Sequence, residues 1–149
     1  MARFDRSPLA APRAALVALA LALPLPALAL AAEPAAALVM FSSPSRNIGC
    51  AIDRGFARCD VADHSWRAPA KPKRCMLDWG NGVTVGKRGR AQFVCAGDTV
   101  LQQRGAILGY GRSRTVGSFT CTSRRSGMTC SRGGSGHGFF VSKTRAKIF

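Results

Sequence analysis

His64 and His137 are the only imidazoles in the chain. A hydrolase that works by paired imidazole acid and base, as a small ribonuclease can, has to use both. Asp78 and Asp98 are candidates to orient a ring or to activate water. Neighbouring Lys and Arg side chains are of the type that stabilises charge building on a phosphoryl group. Gly136 and Gly138 leave His137 open to close approach, a property that equally suits a tight turn. No spacing in the sequence joins His64, His137, Asp78 and Asp98 into one site. They are the candidate catalytic residues of an alternative reading, a small secreted hydrolase.

Cys50, Cys59, Cys75, Cys95, Cys121 and Cys130 are the second chemically able set. No C-x-x-C pair occurs and only two histidines could assist, so the sequence does not read as a zinc site; no metal or cofactor is expected. An even number of cysteines behind an export signal reads instead as three disulfides. Eight residues separate Cys50 from Cys59, and eight separate Cys121 from Cys130. A two-residue turn at Arg54-Gly55, closed by Asp53 and Phe56, sets Cys50 opposite Cys59 where side chains of paired strands approach closely. The same count around Arg125-Ser126 sets Cys121 opposite Cys130. Cys75 and Cys95 are then joined by elimination.

Charge is the third signal. The chain has 22 Lys and Arg against seven Asp and Glu, a formal charge of +15. Residues 1–31 read as a secretory signal peptide: Arg3, Arg6 and Arg13, then an Ala, Leu and Val run, then Ala29 and Ala31 in the small-x-small arrangement of a cleavage site. Pro24, Pro26 and the shortness of the run oppose a retained membrane anchor. Without that segment 19 basic and six acidic residues remain, a net charge of +13. Such a surface attracts polyanions over a screening length of about 10 Å at 0.1 M salt. The candidate anion contacts are Arg67, Lys71, Lys73, Arg74, Lys87, Arg88 and Arg90, with Arg124, Arg125 and Arg132 as further ones. Trp66 and Trp79 add stacking surface or simply pack.

The elements that must position these groups are short and β-rich. Ile48, Cys50 and Ile52 alternate with Gly49 and Ala51, and Phe56 to Val61 makes the hairpin partner. Trp66 precedes a basic, proline-bearing stretch, 67–74, that cannot sit in a central strand. Met76 to Trp79 is apolar, Gly80-Asn-Gly82 reads as a turn, and Val83 and Val85 resume alternation. Gln92 to Cys95, Asp98 to Leu101, Ala106 to Tyr110, Val116 to Thr122, Met128 to Ser131 and Gly138 to Ser142 read as further strands. The expected class is all-β: a small disulfide-stapled domain of short antiparallel strands and hairpins over 46–149, preceded by a lead-in over 32–45. Expected core residues are Leu38, Ile48, Ile52, Trp66, Trp79, Val83, Val85, Phe93, Leu101, Leu108, Phe119, Phe139 and Val141. Asn47-Ile-Gly-Cys50 leading to Cys59 is echoed by Ser118-Phe-Thr-Cys121 leading to Cys130, as two independent hairpins or as a duplicated half-domain.

The cysteine framework resembles a family of small exported bacterial proteins, best represented in actinobacteria and of unknown function. The resemblance runs from about Phe41 to Phe149. It is carried by Phe41-Ser-Ser-Pro-Ser-Arg-Asn-Ile-Gly-Cys50, by Trp66 with the prolines after it, and by Cys75-Met-Leu-Asp-Trp-Gly80. Phe93-Val-Cys-Ala-Gly-Asp-Thr99, Leu108-Gly-Tyr-Gly111, Phe119-Thr-Cys-Thr-Ser123, Gly127-Met-Thr-Cys130 and Gly136-His-Gly-Phe139 continue it. Arg46 departs from it, standing where glycine is expected. The resemblance implies export and a cysteine-linked domain, and it implies no catalytic residue.

These features favour an exported basic, non-enzymatic binding protein, secreted or held in a bacterial periplasm or cell envelope. Its expected partner is an anionic envelope polymer or another polyanion; nucleic acid fits the charge without specificity. A secreted inhibitor presenting 67–74 is a third reading, because a stapled scaffold holds a loop ready for binding.

Overall fold

The computed structural model describes residues 38–102 and 104–149; the signal segment and the lead-in as far as residue 37 lie outside them. Its described residues form strands and no helix, so none is long and apolar enough to cross a membrane. Five strands form one sheet in chain order: β1 (Val39–Ser42), β2 (Ile48–Ile52), β3 (Phe56–Val61), β4 (Asp78–Gly86) and β5 (Gln92–Ala96). Five more form the other: β6 (Ser113–Val116), β7 (Phe119–Arg124), β8 (Gly127–Arg132), β9 (Gly138–Val141) and β10 (Ala146–Ile148). All named strand pairs are antiparallel.

The two sheets repeat one plan. In each, the second and third strands are a cysteine hairpin: Cys50 faces Cys59 and Cys121 faces Cys130, as the turn counts require. Their Cα atoms are 4.1 and 4.0 Å apart, the spacing of narrow antiparallel pairs. A third bond joins Cys75 to Cys95. In each sheet the fourth strand sets a bulky apolar residue beside the staple, Val83 against Cys59 and Phe139 against Cys130. The hairpins are thus matching parts of two five-stranded meanders.

Alternation then decides the core. Ile48, Ile52, Ala57, Val61, Val83 and Val85 of the first sheet meet Phe119, Met128, Phe139 and Val141 of the second, around the two buried disulfides. Burying each large apolar side chain stabilises the fold by roughly 1.5–3 kcal/mol. The Sγ atoms of Cys59 and Cys130 touch at 3.4 Å across the interface. Both are oxidised, so the contact is van der Waals packing and not a hydrogen bond. Two polar ties link the sheets nearer their ends. Trp66 Nε1 donates to the Ser142 carbonyl at 2.8 Å, and Arg132 Nη1 donates to the Gly86 carbonyl at 2.8 Å.

Several expectations need correction. Leu38 is not core; it is 52% exposed. Gly80-Asn-Gly82 is no turn but lies within β4, where the register shifts between Trp79 and Val83 and a bulge absorbs the glycines. Asp98 to Leu101 and Ala106 to Tyr110 are not strands, apart from a single bridge between Ser42 and Ile107. Val116 to Thr122 is broken by Gly117, at φ 57°, into the end of β6 and the start of β7. β6 and β10 leave no period-two signal in the sequence, because Ser-Arg-Thr-Val and Ala-Lys-Ile are too short and polar. Val39–Ser42 is a strand paired with β2.

Arg46 sits at φ 58°, in the left-handed region where glycine costs least, and it is the one non-glycine residue there among those described. A glycine would adopt this turn conformation at less cost than Arg46 does.

The disulfides should yield to reductant in order of exposure. Cys95 is exposed, whereas Cys50, Cys59, Cys121 and Cys130 are fully buried. Mild dithiol at neutral pH, followed by alkylation and peptide mapping, is expected to label Cys75 and Cys95 first. The buried pairs should label only with global unfolding, and each link lost should cost about 2–4 kcal/mol.

Candidate functional site

Because Cys59 points into the core, its neighbours Arg58 and Asp60 point out from β3. Asp60 is nevertheless only 2% exposed, because the chain after β5 passes over it. Its carboxylate accepts from Arg58 Nε at 2.9 Å and Nη2 at 2.8 Å, from the Thr99 hydroxyl at 3.1 Å and from the Val100 amide at 3.0 Å. Arg58 also donates to the Asp98 carboxylate and to its carbonyl, both at 2.8 Å. Glycines make the close approach possible: a Cβ on Gly49 would collide with the Val100 carbonyl and Leu101 Cα, and one on Gly82 with Asp60. Burial works to lower the Arg58 pKa, but the hydrogen bonds to Asp60 and then Asp98 outweigh it and leave it raised. The same Arg58 hydrogen bond, followed by its charge, lowers the Asp98 pKa.

This anchor floors a cleft of about 420 Å³ whose lining includes His64, Asp78, Asn81 and Asp98. Three of the four candidate catalytic residues therefore share one cavity, a convergence that no spacing announced. His64 stacks on Trp66, with centroids 3.8 Å apart and planes at 11°, and its Nδ1 lies 3.0 Å from the Trp66 carbonyl. A carbonyl only accepts, so Nδ1 is the donor of this bond, and in the neutral ring Nε2 is the nitrogen with the lone pair. Asp98, however, is already engaged by Arg58. His137 is elsewhere, in the β8–β9 connection, with its carbonyl accepting from the Arg132 amide at 2.9 Å. It lines neither this cleft nor the other two described below. A mechanism built on both histidines is therefore not assembled.

Among the described residues, the only His, Cys or carboxylate group compact enough to hold a metal is Cys50, Cys59 and Cys130. All three sulfurs are locked in disulfides and offer no thiolate.

The candidate anion contacts lie around β5, the free edge of the first sheet. Arg67, Lys71, Lys73 and Arg74 lead into Cys75, whose bond to Cys95 ties that segment to the strand. Trp79 Nε1 reinforces the tie by donating to the Pro69 carbonyl at 2.8 Å. Lys87, Arg88 and Arg90 form the turn that enters β5 directly. All seven are exposed and none makes an ion pair among the described residues. Beside them a groove of about 440 Å³ is lined by Phe56, Pro72, Arg74, Trp79 and Phe93 among others. Trp79 and Phe93 pack at 6.1 Å, so that indole is partly packing and partly wall, whereas Trp66 packs against Phe93 at 5.9 Å and does not line the groove. Arg124 and Arg125 lie at the β7–β8 turn, away from this edge, and Arg132 is spent on the tie to Gly86.

A family model described as Family of unknown function (DUF6636) matches residues 15–149. No curated protein and no solved structure matches the chain. Three disulfides fit an oxidising environment outside the cytoplasm.

The anchor yields a pH prediction. A carboxyl whose folded pKa is lowered contributes stability that is present above its unfolded value, about 3.9, and is lost as pH falls through the folded value. Amide signals of residues 97–100 are therefore expected to keep their neutral-pH positions down to about pH 4 and to move below it. Asp98→Asn should remove the part of that movement that reports Asp98. Asp60→Ala should cost about 3–5 kcal/mol in urea denaturation, because Arg58 is left without its buried partner.

Proposed function

The chain belongs to this family of unknown function, and from its geometry we propose an exported, non-enzymatic binding protein that holds polyanions along the β5 edge. One observation carries the reading: the Cys75–Cys95 bond sets two separate runs of unpaired cations beside a single edge strand. Exposed Lys and Arg also discourage edge-to-edge pairing between copies, a purely protective role that predicts no anion affinity. What favours binding is the aromatic groove beside the same cations, since Arg forks match phosphate or sulfate oxygens while ring faces shield them from water. The resemblance to exported bacterial proteins supports a secreted, periplasmic or envelope location and an anionic envelope polymer as partner.

A second reading rests on the convergence of His64, Asp78 and Asp98 on one cleft: a hydrolase with His64 Nε2 as base. Assays of RNA and cell-wall cleavage by the mature protein address it, with His64→Ala expected to abolish any activity and His137→Ala to leave it intact. The inhibitor reading keeps only the fixed 67–74 segment in its favour.

The binding reading is tested on heparin or long-chain polyphosphate. Each phosphate contact contributes about 0.7–0.9 to the slope of log K against log salt. Replacing Arg74, Lys87, Arg88 and Arg90 together by alanine should flatten that slope by roughly 3. Equal retention of variant and parent, or retention indifferent to salt, would remove the edge as the site.

A further inference from the structure

We infer that a second site, an open cleft for a phosphorylated polyol, lies at the opposite end of the molecule from the Lys87–Arg90 turn. The β1–β2, β7–β8 and β9–β10 turns meet there around a cleft of about 530 Å³. Both sheets contribute, so the site exists only in the closed sandwich.

Its frame is fixed by hydrogen bonds that do not use the side chains of Arg124 and Arg125. Asn47 clamps the chain leaving β3: its Oδ1 accepts from the Asp63 amide at 2.9 Å, and its Nδ2 donates to the Asp63 carbonyl at 3.0 Å. The Ser65 amide donates to the Lys143 carbonyl at 2.8 Å, joining that segment to the β9–β10 turn. Ser142 Oγ accepts from the Arg145 amide at 3.0 Å and holds the turn itself. Three cations face this frame, Arg124, Arg125 and Lys143, against one carboxylate, Asp63. Asp63 is already bound to Lys143 at 2.6 Å. The Arg125 guanidinium lies over the Tyr110 ring at 5.2 Å, which steadies its plane while its edge donors stay available. Arg124 has neither an ion pair nor a side-chain hydrogen bond among the described residues.

The ligand class follows from that inventory. After Asp63 and Lys143 cancel, two adjacent guanidiniums remain, which a dianion balances and a single carboxylate does not. A phosphate monoester presents paired oxygens to such forks. The Ser126 and Thr144 hydroxyls at the rim have no side-chain hydrogen bond among the described residues and suit the hydroxyls of a polyol carrying that phosphate. This site rests on different residues from those of the β5 edge.

The test is an amide-shift NMR titration of the mature protein, at constant ionic strength, with glycerol 3-phosphate, inorganic phosphate and glycerol as separate probes. Saturable shifts confined to residues 43–47, 110, 124–127 and 142–144 are expected with glycerol 3-phosphate. Inorganic phosphate should bind more weakly and glycerol alone should not bind. Arg124→Ala with Arg125→Ala should weaken binding at least tenfold while the spectrum stays dispersed, and the paired lysine variants should not restore it. Lys87→Ala with Arg88→Ala should leave it unchanged. No saturable shift with glycerol 3-phosphate would overturn the site, as would full affinity in the Arg124 and Arg125 variant. Equal loss in the Lys87 and Arg88 variant would reduce it to diffuse charge. Equal affinity for inorganic phosphate would remove the polyol.

Discussion

Everything in this molecule is arranged about the point where Cys59 and Cys130 touch in the core. A disulfide between narrow pairs is rigid, apolar and too short to be absorbed by side-chain rotation, so each staple fixes the register of its hairpin. Register in turn fixes faces: once Cys50 and Cys59 point inward, so do Ile48, Ile52, Ala57 and Val61. The second sheet obeys the same rule from Cys121 and Cys130. Two meanders of one plan then meet staple to staple, with equivalent cysteines 71 residues apart in contact. A chain this small has little apolar area to spend, and the sulfurs serve as both cross-link and core.

The halves differ on their outer faces. In the first, Arg58 and Asp60 hold the chain after β5 across the sheet, and Gly49 leaves room for it. In the second, the corresponding outward residues are Thr129 and Ser131, and Thr120 stands where Gly49 does. No buried carboxylate anchors a covering segment there. The Ser113 and Thr122 hydroxyls pair at 2.8 Å, and those of Thr115 and Thr120 at 2.9 Å. The glycine in one half of the sequence echo and the threonine in the other thus record which sheet is covered.

The charge balance follows from the same economy. Asp53 closes its own turn by accepting from the Gly55 and Phe56 amides, at 2.6 and 2.8 Å. Asp60 and Asp98 serve Arg58, and Asp63 serves Lys143. Most carboxylates are therefore consumed in holding loops, while the cations around β5 and at the β7–β8 turn keep their charge for solvent or a ligand. Among the described aspartates Asp78 is the exception, exposed at the rim of the cleft that holds His64.

Local features of the sequence determined the hairpins, the cysteine pairs, the all-β class and the position of both cation runs. Cysteine spacing across a two-residue turn and period-two alternation are written in neighbouring residues. Tertiary structure alone decided the rest. The bulge in β4, the passage of 97–102 over Gly49, and the meeting of His64 with Asp78 and Asp98 depend on contacts between segments far apart in the chain. No local period encodes them. Burial of Asp60 is the clearest instance: a charged residue in an alternating strand reads as solvent-facing. It is buried only because Arg58, Thr99 and Val100 together satisfy its oxygens.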